Sequence, residues 1–357
     1  MSSRRHLLKQ TAAVIGAAST GLLLPEIARA QSNKIRIGFM LPYTGTFAQL
    51  GIGIDNAFRM AIDEQGGKLG GREIEWFKLD DESNPAKGVE NAQRLVQRDK
   101  VDVLVGTVHS GVQMGIHRVV RNTNVINLIP NAGVHAATRE QCAPNVFRTS
   151  FSNSQPTLAL GKPMVQRGHK KAVWITWNYA AGEEAFEGFK QSYEAAGGTI
   201  IKSLGLPFPQ VEFQALLTEI ASLKPDAVAC FFAGGGAAKS TLHYSDSLDT
   251  ERNKSFRLAY AKTFKLQPDV YTVQGYDSAL LLIEGANAVK GDLANRKVLY
   301  EAMEKAKIKS PRGVWTMSKS HNPIQDIYLR EVVKGENKVI GVAAKALADP
   351  GTGCRMG

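Results

Sequence analysis

The sequence is poor in the residue clusters that most chemistry requires. His109, His117, His135, His169, His243 and His321 stand singly with no short metal-ligand spacing, and neither HExxH nor CxxC occurs. No GxSxG elbow is present, and Ser110, with His109 beside it and His117 nearby, has no evident acid to orient a base. The stretch GGGAAKST at 234–241 resembles a phosphate loop, but GxxxxGK followed by Ser or Thr needs glycines where Ala233 and Ala238 stand. These gaps speak against a metal centre, a nucleophile with its base, and a nucleotide cradle. Beyond Ala30 no run approaches the roughly 18 apolar residues of a membrane span, so the remainder of the chain is expected to be soluble. Basic runs interleaved with aromatics are missing too, which speaks against nucleic acid as a partner.

Cysteine is scarce, with three in 357 residues. Cys230 lies in the apolar run AVACFF and reads as a small core residue. Cys142 and Cys354 lie in polar, loop-like sequence, and in an oxidising compartment a disulfide between them is expected. Such a compartment is indicated by the N-terminus. Arg4, Arg5 and Lys9 form a charged region, residues 11–24 are mostly apolar, and Ala28-Arg29-Ala30 fits a cleavage site that would leave Gln31 first. The paired arginines followed by leucines resemble a twin-arginine export signal, with an ordinary Sec leader as the alternative. The formal net charge is +11, and loss of Arg4, Arg5, Lys9, Arg29 and Glu26 leaves +8, with acids spread among the bases. The surplus reads as a solvated surface that could favour anionic ligands.

What is present is an alternation of two hydrophobic periods. Ile35, Ile37 and Phe39 fall on one strand face; a Pro/Gly/Thr loop follows; then Ile54, Phe58, Ala61 and Ile62 keep a helical period that ends at Gly66-Gly67. Strand-like segments recur at 73–79, 101–106 and 125–130 with amphipathic stretches between them. A second series runs through strands at 171–177, 199–204 and 226–233, with helices from about Glu183 to Ala196 and ending near Leu223. Continuous apolar strands between helices indicate parallel sheets covered on both faces. Residues 31–357 exceed what one core usually holds, so two doubly wound α/β lobes are expected. In such sheets ligands sit beyond the carboxyl ends of the strands. Those ends carry Thr107-Val108-His109-Ser110-Gly111, where Ser110 could cap a helix and leave its first N–H groups for a carboxylate, then Pro130-Asn131-Ala132-Gly133, and Asn178-Tyr179-Ala180-Ala181-Gly182-Glu183 in the second lobe. The acid pairs Asp80-Asp81 and Glu183-Glu184 read as a strand end and a helix start, solvated or capping.

The chain also resembles a known family. IRIGFMLPYTGTFAQLG, DDESNPAKGVENAQRLV, VGTVHSGV, IPNAGVHAATRE, CAPNVFRTSFSN, WNYAAGEEAFEGF, FFAGGGAAK, TLHYSDSLD, QGYDSALLL and HNPIQDIYLREV, in order over almost all of the chain, are similar to the periplasmic solute-binding proteins of ABC importers in the leucine/isoleucine/valine-binding family, above all its aromatic-acid branch. The resemblance implies two lobes joined by three crossover strands (type I periplasmic binding protein): residues 31–148 with about 245–315, and 149–244 with about 316–357. It implies no catalysis and no cofactor, a small carboxylate as ligand, permease subunits as partners, a monomer, and a periplasmic location. By position it carries ligand contact onto Phe47, Leu50, Ser110, Asn131, Ala132, Gly133, Tyr179, Phe232 and Tyr276. Ser110 and the backbone N–H groups near Asn131 to Gly133 would hold the carboxylate, and the aromatic residues would pack the organic body. A branched-chain amino acid is the rival ligand, and a sensing subunit uncoupled from transport the rival role. The family pattern breaks at Lys239-Ser240, where FFAGGGAAK runs straight into TLHY. A crossover helix of about a dozen residues is expected after a parallel strand, so a deletion, natural or in the gene model, and a truncated second lobe are expected.

Overall fold

The alternation of Ile35, Ile37 and Phe39 builds β1 (Ile35–Leu41), almost wholly buried because the sheet around it is covered on both faces. The computed structural model describes residues 34–232 and 239–356; the leader with its Ala30 site and the segment 233–238, including most of the GGGAAKST stretch, lie outside the described residues. After β1 come α1 (Ala48–Asp63), β2 (Ile74–Asp80), α2 (Pro85–Gln93), β3 (Val103–Val105), α3 (Ser110–Val120), β4 (Ile126–Ile129) and β5 (Val146–Arg148). The five strands form a parallel sheet in the order β2-β1-β3-β4-β5.

The chain then leaves this sheet through residues 149–153 and enters α4 (Ser154–Leu158) and α5 (Gly161–Gln166). A second parallel sheet follows from β6 (Lys171–Asn178), α6 (Ala180–Ala195), β7 (Thr199–Pro207), α7 (Gln214–Leu223) and β8 (Ala227–Phe231), ordered β7-β6-β8. Trp174, Ala185, Phe189 and Tyr193 form the core between this sheet and α6. The expected α/β class and the paired doubly wound sheets are thus present, and α6 starts earlier than Glu183 because Tyr179, in extended conformation, already stands at its N-cap.

Among the described residues no crossover helix follows β8. The next element, β9 (Lys239–Leu242), pairs antiparallel with β12. Helices α8 (Glu251–Phe264), α9 (Val270–Ala288) and α10 (Arg296–Lys305) then return to the first sheet, and β10 (Lys307–Ser310), β11 (Gly313–Met317), β12 (Pro323–Val333) and β13 (Glu336–Leu347) form an antiparallel set. Helix α9 packs on α1 so closely that a Cβ on Gly275 would run into the Ile54 backbone. Phe58, fully buried against Phe39 and Trp76, contributes about 1.5–3 kcal/mol through the apolar surface it removes from water.

Cys142 and Cys354 are bonded, with Cα atoms 5.4 Å apart. Asp349 pairs with Arg139 at 2.9 Å, so the last segment lies against the 139–142 loop, and the Leu347 carbonyl just before it accepts from Gln155 Nε2 at 3.1 Å. Among the described residues no helix is long and apolar enough to cross a membrane.

Candidate functional site

The strand ends of both parallel sheets face one cavity of about 520 Å³. Its first wall is the loop between β1 and α1. Asp80, ending β2, accepts from the Tyr43 backbone N–H at 2.9 Å and the Thr44 hydroxyl at 2.7 Å. Burial works against the Asp80 charge, but the Thr44 hydroxyl and the neighbouring amides outweigh it and hold the carboxyl below its ordinary range. With the loop fixed, Phe47 lines the cavity, its ring 5.5 Å from Phe208 and 6.3 Å from Trp177. Leu50, one turn on, turns into the first lobe's core and does not line the cavity.

At the end of β3 the helix cap differs from expectation. His109, not Ser110, is the N-cap of α3: its Nδ1 accepts from the N–H groups of Gly111 at 3.1 Å and Val112 at 3.4 Å. Two of the amides expected to be free for a ligand are therefore taken. Burial pushes the His109 pKa down to about 4, which keeps the ring neutral and Nδ1 an acceptor. Ser110 becomes the first helical residue and lines the cavity, its Oγ accepting from Asn153 Nδ2 at 3.3 Å.

Beyond β4, Asn131 and Gly133 also line the cavity, whereas Ala132 is buried behind them, its N–H donated to the Thr107 carbonyl. Asn131 Nδ2 donates to Gln274 Oε1 at 2.8 Å. A side chain at Gly133 would displace Asn153, which packs directly on it and donates its own N–H to the Gly133 carbonyl. Only glycine permits that approach.

The opposite wall comes from the second sheet. Tyr179, Phe232, Trp177 and Phe213 line the cavity. Trp177 meets Phe232 edge-on at 5.1 Å, and Tyr179 stacks on Phe208 at 5.6 Å. These are the separations at which aromatic pairs gain beyond simple burial. Trp177 Nε1 donates to the Gln210 carbonyl at 2.7 Å, which satisfies its polar edge and leaves the ring for the cavity. Burial pushes the Tyr179 hydroxyl pKa well up. Cys230 is half-buried: it packs against the core around Val173, Ile175 and Ile220, as expected, and also lines the cavity. Tyr276 does not reach the cavity: it is buried in the first lobe, donating to Glu64 and accepting from Arg252 Nη2 at 2.8 Å.

Several lining residues escaped the sequence. Trp177 ends an obvious strand and could have been found from its place there, but Gln274, Tyr271 and Arg330 arrive from distant elements. The acid pairs are less exposed than expected. Asp81 is buried and accepts from the Thr107 hydroxyl, and Glu184 is largely enclosed between the lobes. Among the described residues no group of three His, Cys, Asp or Glu side chains could hold a metal ion. The described lining includes no aspartate or glutamate, and 233–238, AGGGAA, contains none in its sequence.

Comparison with known proteins supplies the context. A family model described as periplasmic binding protein matches residues 34–242 and 238–337. A solute-binding protein of an ABC transporter from R. palustris, solved in complex with benzoate, is 44% identical with a TM-score of 0.88, over 90% of this chain and 100% of that one. A second, from Rhodopseudomonas palustris BisB5 in complex with 3,4-dihydroxybenzoic acid, is 28% identical with a TM-score of 0.83, over 89% of this chain and 99% of that one. The Leu/Ile/Val-binding protein homolog 6 of Brucella abortus (strain 2308) is 25% identical over 375 residues, 90% of this chain and 94% of the relative.

Proposed function

The chain belongs to the periplasmic binding protein family and is a solute-binding protein, not an enzyme, and we propose that its ligand is an aromatic carboxylate without an ammonium group, delivered to ABC permease subunits in the inner membrane. The observation that carries this reading is the lining of the cavity: rings on both walls, hydrogen-bonding groups at Ser110, Asn131 and Gln274, and no carboxylate among the described residues. An α-amino acid would bring an ammonium group with no acidic partner. Leaving such a charge unpaired costs at least about 1–3 kcal/mol, roughly ten- to hundredfold in Kd. Benzoate and 3,4-dihydroxybenzoic acid in the similar proteins support the same ligand class.

In this reading Ser110, Asn131 and the backbone near Gly133 hold the carboxylate, while Phe47, Tyr179, Trp177 and Phe232 cover the ring. Closure follows from contacts available only when both lobes touch the ligand. The family implies the periplasm, reached by a twin-arginine-like leader cleaved after Ala30. We further take the chain to lack a segment between Phe232 and Thr241. The family model's two matches overlap at 238–242, and the alignment with the Brucella relative, at 375 residues, is longer than this chain's 357.

Thermal unfolding tests the ligand class. Benzoate at 100 times its Kd should add about 2.7 kcal/mol. A shift with L-leucine and none with any aromatic carboxylate would favour the amino-acid alternative instead.

A further inference from the structure

Behind the cavity one carboxylate spans the two lobes. Both oxygens of Glu184, on α6, accept the His135 backbone N–H at 3.0 Å, and Oε2 also accepts Asn153 Nδ2 at 2.8 Å. The same Nδ2 reaches Ser110 Oγ at 3.3 Å. We propose that Glu184 is a positioning residue that, through Asn153, makes the Ser110 hydroxyl a hydrogen-bond donor toward the cavity and so selects ligands presenting a carboxylate there. The proposal deepens the ligand reading above and rests on it.

The direction of each hydrogen bond follows from what each group can do. An ionised carboxylate only accepts, so the end of the Asn153 amide that faces Glu184 has to be its NH₂. That NH₂ also donates to Ser110, which occupies a lone pair of the hydroxyl and leaves its single hydrogen. No acceptor among the described residues takes that hydrogen, and Ser110 lines the cavity. A ligand oxygen is the partner that hydrogen suits; a ligand N–H could meet only the hydroxyl's second lone pair and would leave the hydrogen unused. Asn153 cannot easily drift, because its N–H is donated to the Gly133 carbonyl at 2.8 Å and its side chain packs on Gly133.

The charged surroundings of Glu184 come from every element packed on it. Arg139 is engaged by Asp349 from the last segment at 2.9 and 3.1 Å. Arg148 on β5 is wholly buried, and its Nε donates to the Ala132 carbonyl. The His135 ring, held neutral by burial, has Nε2 2.9 Å from Ser154 Oγ and 3.8 Å from Glu184 Oε2. Burial raises the Glu184 pKa to about 7 against the pull of His135 N–H, Asn153, Arg148 and Arg139, so the relay runs in the direction described above neutrality.

The test is calorimetric titration of the purified protein at pH 8 with benzoate and with its neutral isostere benzamide. Glu184→Gln replaces a group that can only accept; with its NH₂ placed where Asn153 donates, Asn153 turns its oxygen toward Ser110 and draws the hydroxyl hydrogen away from the cavity. Benzoate should weaken by at least about tenfold, benzamide should change by less than about threefold, and Glu184→Gln should add nothing in a Ser110→Ala background. Equal weakening of both probes, full additivity with Ser110→Ala, or benzoate affinity within about twofold of wild type would overturn the proposal. If Glu184→Gln fails to fold, Asn153→Ala, which removes the group that orients the hydroxyl without drawing its hydrogen away, should weaken benzoate more than benzamide, and equal change in the two probes would overturn the proposal. Wild-type protein that binds neither probe would overturn the ligand reading itself, and this proposal with it.

Discussion

The guanidinium of Arg312 meets the carboxylate of Asp277 at 2.8 Å with both side chains closed off from solvent. The pair ties three parts of the chain together. Asp277 sits on α9 and accepts from Trp315 Nε1, while Arg312 donates to the Thr149 carbonyl at 2.7 Å and to Gln325 Oε1 at 2.7 Å. Gln325 in turn donates to the Ser150 carbonyl at 2.6 Å. One buried charge pair thereby fastens the segment leaving the first sheet to α9 and, through Gln325, to β12. Removing one partner leaves the other charge buried and alone. Asp277→Ala should lower stability by about 3–5 kcal/mol in urea unfolding; a loss under about 1 kcal/mol would show that water reaches the guanidinium.

His109 should make stability depend on pH in a definite direction. Burial lowers its pKa to about 4 in the folded protein, whereas the unfolded side chain titrates near 6.5. Between those values the unfolded chain binds more protons, so stability is full above about 6.5 and is lost as pH falls toward 4. Asparagine can cap a helix but does not titrate in this range. The melting temperature of His109→Asn should therefore fall less between pH 7 and pH 5 than that of the parent. Parallel slopes would mean that the imidazole remains solvated.

The Cys142–Cys354 bond closes a loop across 212 positions. Replacing both cysteines with serine should cost about 2–5 kcal/mol. The first region to loosen should be the last segment, since the Asp349–Arg139 pair would then be its main tie to the 139–142 loop. Hydrogen exchange over 348–356 should rise before the sheets are affected, and uniform exchange across the chain would contradict this order.

The parts of the fold legible in the sequence are those where one face is buried and the other wet. β1, α1 and the alternating strands and helices up to β8 show their periods because each helix rests on a sheet. Helix α9 does not, because Thr272, Gln274, Asp277, Ser278, Leu281 and Leu282 are all buried and no face is left to mark. The site divides similarly. Phe47, Ser110, Asn131, Gly133, Tyr179 and Phe232 follow strands and line the cavity, whereas Tyr276, carried over by position, belongs to a hydrogen-bonded core group with Glu64 and Arg252. The His109 cap was hidden because serine is the commoner capping residue. Glu184 reads as a helix-opening acid, and only the tertiary arrangement brings His135 and Asn153 to it.

The ligand class is tested most directly by calorimetric titration of the purified protein, at pH 8, with benzoate and separately with L-phenylalanine, which offers the same ring and carboxylate plus an ammonium group. The cavity has rings for the first and, among the described residues, no acidic partner for the last. Benzoate should bind at least about tenfold more tightly than L-phenylalanine. Equal affinity for the two, or tighter binding of L-phenylalanine, would contradict the reading of the cavity as a site for aromatic carboxylates without an ammonium group.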